Sequence, residues 1–170
     1  MVQKRPLPQS FSLGNPAVLI GTGFGVGLLP YAPGTFAALA ALPAGWLIIA
    51  YFGWPILLAL AIATFILGVW CADICARRLG VADPSVVVID EVAAQWIVLL
   101  VVPQDPFYYA AAFVTFRVFD IWKPFPVSWA EQSFRGGFGV MIDDMFAAGY
   151  ACMILIPVTV LMDAATPISS

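Results

Sequence analysis

Long uncharged runs, broken at intervals by proline and glycine, dominate the pattern of this chain. From Pro6 to Ala72 no side chain carries a formal charge. Residues 1–16 are polar and proline-broken and read as a tail. Residues 17–35 alternate glycine at 21, 23, 25 and 27 and end in Pro30, Pro33 and Gly34, which argues for a re-entrant or interfacial segment over a regular spanning helix. Five apolar stretches follow, at 36–52, 55–72, 86–102, 107–120 and 145–162, most of them near the roughly 20 residues a bilayer core requires. Gly53-Trp54-Pro55, Asp83-Pro84-Ser85 and Pro103-Gln104-Asp105-Pro106 supply turns between them. Residues 121–142 read as a loop containing Glu131, Arg135 and a Gly136-Gly137-Phe138-Gly139 turn, and 163–170 as a second tail. The fold class expected is all-α: a multi-span helical membrane protein whose single domain covers 17–162.

Composition turns that pattern into a statement about solvent. Of 170 residues, 62% are hydrophobic and only 10% charged, with mean hydropathy +0.97, against about 25% charged in ordinary globular domains. Uncharged surface on that scale cannot face water, so most of it faces lipid. Histidine is absent, which removes phosphohistidine chemistry, histidine general bases and histidine-ligated zinc. No basic run offers itself to nucleic acid. Cys71, Cys75 and Cys152 lie in apolar stretches and form no extracellular disulfide framework. Cys71 and Arg77 have the cysteine-x5-arginine spacing of cysteine phosphatases, but the intervening residues lack the glycines of a phosphate cradle. No secretory signal is evident at the N-terminus.

The few charges are not scattered. A five-span arrangement with a cytoplasmic N-terminus places all seven Lys and Arg residues on the cytoplasmic face, as the positive-inside rule requires. The same arrangement brings Asp90, Glu91, Asp120, Asp143 and Asp144 to one membrane depth from three separate segments. The stretch 107–120 is short for a full span, so the span count is the weak point of this topology.

Phe116-Arg117-Val118-Phe119-Asp120-Ile121-Trp122-Lys123-Pro124-Phe125-Pro126 concentrates this pattern. Arg117, Asp120 and Lys123 are spaced by three, so on a helix they form a cation–carboxylate–cation row. Pro124 then stops the helix. Asp120 faces the negative end of the helix dipole, where a carboxylate is poorly placed for stability. Clustered carboxylates repel unless a cation sits among them, and all-oxygen ligation suits magnesium or manganese over zinc. Asp90, Glu91, Asp143 and Asp144 are the candidate metal ligands. Helix capping is the plainer reading of both acid pairs, since each lies near the start of an apolar stretch. Arg117, Lys123 and Arg135 could receive a phosphate, and the Pro33-Gly34-Thr35 turn could add backbone amides and the Thr35 hydroxyl. A tight packing turn is the plainer reading of Gly34 and Thr35. Together the acids and cations fit metal-assisted phosphoryl chemistry on an amphiphile approaching from the membrane.

Four blocks of the chain resemble the phosphatidylglycerophosphatase A family: residues 23–35, Asp90-Glu91, residues 116–126, and Gly137-Phe138-Gly139-Val140-Met141-Ile142-Asp143-Asp144. The resemblance covers about Gly14 to Tyr150, and its last two blocks are the specific ones. It implies an all-helical enzyme of the bacterial inner membrane, with its site facing the cytoplasm. Such an enzyme hydrolyses the terminal phosphomonoester of phosphatidylglycerophosphate with magnesium. With no histidine, the attacking group is either water activated by the metal or an Asp carboxylate. The reading adopted is water, with Asp90, Glu91, Asp143 and Asp144 as ligands and Asp120 positioning or deprotonating it. Asp120, Asp90 and Asp144 are therefore the catalytic candidates. The alternative from another class, a cation or proton transporter with intramembrane acids, predicts acids near mid-bilayer and an internal repeat, and no repeat is found.

Overall fold

A computed structural model describes residue 8 and residues 11–165 of the chain, of which 130–132, 163 and 165 by backbone only. Among the described residues there are seven α-helices, one 3-10 turn and no strand. The tail expected at 1–16 falls largely outside the described residues, and so do 166–170.

Helix α1, Pro16–Gly21, starts on Asn15, whose Oδ1 accepts from the amides of Ala17 and Val18 at 3.0 and 3.3 Å. It is too short to span, as the glycine pattern anticipated, and packs through Gly21 on Cys71 and Cys75. The chain then makes a 3-10 turn at Val26–Leu28 before α2, Pro33–Phe52, in which proline occupies the first helical position. Gly53, at φ 82°, reverses the chain into α3, Trp54–Leu79. Helix α4 is Ile89–Leu99, α5 is Pro106–Trp122, capped by Asp105, α6 is Val127–Ser133 and α7 is Gly136–Ala165.

Three of these are long and apolar enough to cross a membrane: α2, α3 and α7 as far as Met162. The third and fourth apolar stretches fold as α4, of 11 residues, and α5, of 17, joined as a hairpin. Its turn is pinned where Gln104 Nε2 donates to the Trp46 carbonyl at 2.8 Å and Tyr109 meets the Trp46 ring edge-on at 4.9 Å. Trp46 lies six residues before the end of α2, so the hairpin turns roughly 9 Å short of it at 1.5 Å per residue.

Small residues permit this packing. Ala94, Ala112, Ala147, Ala148 and Ala151 are fully buried where α4, α5 and α7 meet, and helices in lipid associate through such close contacts. Exposed apolar side chains such as Ile62, Ile66, Val160 and Leu161 clothe the outside of the bundle.

Two sequence expectations change. Residues 121–142 are not a loop: α6 occupies part of them, and α7 begins at Gly136, nine residues before the expected 145. Gly137 and Gly139 are there for close approach, since a Cβ at 137 would strike the Val69 carbonyl and one at 139 would stand 2.6 Å from the Phe134 carbonyl. Low helix propensity at these positions reads as a turn, while the packing that overrides it leaves no local signature. The second correction concerns capping. Asp143 and Asp144 sit two turns inside α7, too deep to serve its N-terminus, whereas Asp90 and Glu91 do occupy the first turn of α4.

Candidate active site

The site lies where the N-terminal ends of α2, α4 and α7 meet the C-terminal end of α5. Helix α4 presents Asp90 and Glu91 from its first turn. Glu91 packs against α2 where residue 34 has no side chain: a Cβ at Gly34 would meet Glu91 Oε1 and force the carboxylate to move. Helix α7 is set against α3 by Gly68, whose Cβ would stand 2.5 Å from Met141 Sδ, and by Asp73, whose Oδ1 accepts from the Gly137 amide at 3.2 Å. That register delivers Asp143 and Asp144 two turns below the start of α7.

Helix α5 contributes the cations and Asp120. Arg117 forms an ion pair with Asp120 one turn on and reaches Glu91 at 3.8 Å, while its Nη2 donates to Thr35 Oγ1 at 3.2 Å. Lys123 ends the helix in the left-handed region, φ 46° and ψ 56°, ahead of Pro124. For a residue other than glycine that conformation costs roughly 1–2 kcal/mol. It accompanies a charged contact: Lys123 Nζ donates to Asp143 Oδ2 at 2.8 Å. The row expected along α5 therefore holds for Arg117 and Asp120, and Lys123 is turned towards α7.

The structure thus brings together Asp90, Glu91, Asp120, Asp143 and Asp144 with Arg117 and Lys123. Within that group Asp90, Glu91 and Asp144 can each offer an oxygen such that all three lie within 4.8 Å of one another. Asp144 also lies within hydrogen-bonding reach of Asp120. Asp90, Asp143 and Asp144 are buried, at 8%, 6% and 4% exposure. Glu91 Oε2 and Asp144 Oδ2 are buried and have no hydrogen-bond partner in the protein. Such orphaned carboxylate oxygens, in an all-oxygen donor set, fit a hard divalent cation. Five carboxylates against two cationic side chains leave three negative charges in a buried cluster, which repel unless a cation or protons join them.

The remaining candidates lie around this centre. Thr35 is joined to it through Arg117, and Gly34 through Glu91. Arg135 is exposed and lines a cleft of about 330 Å³ with Asp83, Gly139 and Asp143, which borders the cluster through Asp143. Cys71 is fully buried against α1, a packing residue. Sequence reasoning missed Asp73, whose part in seating α7 has no motif to announce it. It missed Gln95 as well, one turn below Glu91, fully buried and with neither side-chain polar atom bonded. A lone amide in an apolar run was the available signal.

A sequence model of phosphatidylglycerophosphatase A matches residues 19–159, which includes every residue of this cluster. The chain belongs to the phosphatidylglycerophosphatase A family. It is 37% identical over 144 residues to phosphatidylglycerophosphatase A of Escherichia coli, covering 84% of this chain and 83% of that one. To the Haemophilus influenzae protein of the same name it is 38% identical over 156 residues, covering 91% and 95%. It is 43% identical over 147 residues to a Bacteroides thetaiotaomicron protein with the provisional name phosphatidylinositol-3-phosphatase, covering 81% and 90%. No solved structure matches the chain. Membership in a family of phosphatases decides against the transporter reading of the intramembrane acids.

Proposed function

We propose that this protein is a magnesium-dependent lipid phosphatase that releases the terminal phosphate of phosphatidylglycerophosphate, leaving phosphatidylglycerol, at the bacterial inner membrane. The observation that carries the metal is the convergence of Asp90, Glu91 and Asp144, with two of their oxygens buried and unpartnered. The names of the Escherichia coli and Haemophilus influenzae relatives support the choice of substrate.

Asp90, Glu91 and Asp144 would hold magnesium, which supplies positive charge and Lewis acidity to a phosphoryl oxygen. Arg117 and Lys123 hold the phosphate by charge-assisted hydrogen bonds, which are stronger than neutral ones. Arg117 is already oriented for this by Asp120, Glu91 and Thr35. Asp120, beside both Arg117 and Asp144, is placed to position a water and take its proton as the water oxygen bonds to phosphorus. The P–O bond to glycerol breaks, and the departing glycerol oxygen takes up a proton. Asp143 holds the Lys123 side chain by an ion pair and lies beside the three acids of metal reach. A phosphomonoester carries two ionisations and can meet cations on two sides, whereas the internal diester carries one charge and is left intact.

The test is inorganic phosphate release in detergent micelles, with magnesium and with a chelator. Phosphatidylglycerophosphate would be run beside phosphatidylinositol 3-phosphate, phosphatidic acid and a soluble sugar phosphate. The expected result is turnover of phosphatidylglycerophosphate that magnesium supports and the chelator abolishes. Faster release from phosphatidylinositol 3-phosphate would reassign the headgroup, and full activity in chelator would remove the metal.

A further inference from the structure

A second feature opens beside the carboxylate cluster, on the outer side of Arg117. Thr35 of α2 and Phe113, Val114, Arg117, Val118 and Ile121 of α5 line a groove of about 660 Å³, with Trp122 at one end. That volume lies within the ~300–1,000 Å³ typical of small-molecule sites. Positions 114, 118, 121 and 122 recur at helical spacing, and all four side chains are at least half exposed on the outside of the bundle. In lipid an exposed apolar strip needs no explanation. A guanidinium at its inner wall is another matter: the Arg117 side chain is only 14% exposed, and a charge held at that depth usually marks a path or a partner.

Arg117 faces both ways. Its ion pair with Asp120 and its approach to Glu91 belong to the carboxylate cluster. Its Nη2 donates to Thr35 Oγ1, on the groove wall. The groove and the cluster therefore share one side chain, and an anionic group at Arg117 would touch both. Along α5, Trp122 and Ile121 stand next to Lys123, while Val114 lies three residues before Arg117 and further from the helix end. An amphiphile seated here would have its phosphate at Arg117 and its tail running away from the helix end, past Val114 and Phe113.

We propose that the groove between α2 and α5 is the lateral docking site for an acyl chain of the phospholipid substrate, admitting it from the bilayer with its phosphate led to Arg117. The proposal rests on the lipid-phosphatase reading for its choice of substrate. Lipid tails surround the protein in any case, so the groove adds little apolar driving force. What it supplies is register: a chain held along α5 fixes how far the phosphate reaches, and a displacement of about 1 Å can cost a hundredfold in rate. The headgroup thus approaches from the membrane side, without leaving the bilayer plane.

Two measurements test this. The first places a photo-crosslinking residue at Val114 or, as a control, at Ile66, exposed on α3. Both proteins go into phosphatidylcholine nanodiscs containing a minor fraction of a phosphonate analogue of phosphatidylglycerophosphate that cannot be hydrolysed. Enrichment of the analogue over phosphatidylcholine at 114 but not at 66, lost on Arg117→Ala, supports the groove. Capture in proportion to bulk composition at both positions overturns it. The second compares Val114→Trp, at the tail end of the groove, with wild type on dipalmitoyl and dihexanoyl phosphatidylglycerophosphate. The ratio of long-chain to short-chain kcat/KM should fall about tenfold or more, since only the long chain needs the full groove. An unchanged ratio overturns the proposal. If wild type released no phosphate from any lipid, the phosphatase reading would fail, and the crosslinking result would still decide the groove.

Discussion

Asp143 and Asp144 are neighbours in sequence, yet the structure gives them different company. Asp144 lies with Asp90 and Glu91, its Oδ2 buried and unbonded. Asp143 is bonded by Lys123 at 2.8 Å. Side chains of adjacent helical residues point about 100° apart, and here that rotation separates the acid that joins Asp90 and Glu91 from the one that holds Lys123. The two asparagine variants should therefore fail differently. Asp144→Asn removes a charged ligand, so phosphate release should require a much higher magnesium concentration, by about tenfold or more, or vanish. Asp143→Asn should lower kcat while leaving the magnesium midpoint within about twofold, because it frees Lys123 rather than the metal. A magnesium titration of phosphate release from both variants checks this. Equal shifts of the midpoint in both would count Asp143 among the ligands too. Sequence alone offered four candidate ligands, because adjacency gives the angle between two side chains but not which of them faces the neighbouring helices. Gly34 was similarly half legible. Its place in a Pro-Gly-Thr turn suggested backbone amides for a phosphate, and the structure adds that its missing side chain makes room for Glu91.

Whole helices were easier to read than their ends. Each of the five apolar stretches became a helix, because uncharged length is sufficient signal where the backbone must bond internally. Helix α3 continues to Leu79, past Asp73, since Asp73 and Arg77 pair one turn apart and the polar end needs no lipid. Helix α7 begins at Gly136 despite glycine at 136, 137 and 139, because those glycines let it abut α3 and the Phe134 carbonyl. Gly136 itself has φ 69°, a conformation other residues rarely adopt. A Cβ at Gly137 would meet the Val69 carbonyl, a backbone atom that cannot swing aside. Gly137→Ala should thus displace the start of α7, costing about 1–3 kcal/mol as overpacking does. Thermal unfolding in detergent should show a lower midpoint, and activity should fall with it because Asp143 and Asp144 move with the helix. A variant with unchanged midpoint and full turnover would show that the α3–α7 contact does not set the register. Ser133→Ala, exposed on α6, is the matched control.

At the scale of the molecule, charge and depth separate the two ends of the bundle. Arg77, Arg78, Arg117, Lys123 and Arg135, which are the described Lys and Arg residues, all lie towards the ends of α3, α5 and α7 that carry the site. The opposite end holds Gly53, Trp54 and the α4–α5 turn with Asp105. Positive-inside orientation then predicts a cytoplasmic site end, whichever way the short hairpin is counted, because α4 leaves that end and α5 returns to it. The hairpin makes a further claim about depth, since its turn is tied to Trp46 and not to the end of α2. In a background with Cys71, Cys75 and Cys152 replaced by Ala, single cysteines would be placed at Ser133, Trp54 and Gln104. A membrane-impermeant maleimide applied to intact cells should label Trp54→Cys readily and Ser133→Cys only after the cells are opened. Gln104→Cys, in which the Tyr109–Trp46 contact still holds the turn, should label from outside but more slowly than Trp54→Cys, as a position roughly 9 Å, or six helical residues, further in. Efficient labelling of Ser133→Cys in intact cells would invert the topology and carry the carboxylate cluster to the outer face. Equal rates at 54 and 104 would place the hairpin turn at the surface and make α4 and α5 full crossings. The slower rate at 104 is the outcome that follows from a turn held at Trp46, six residues before the end of α2.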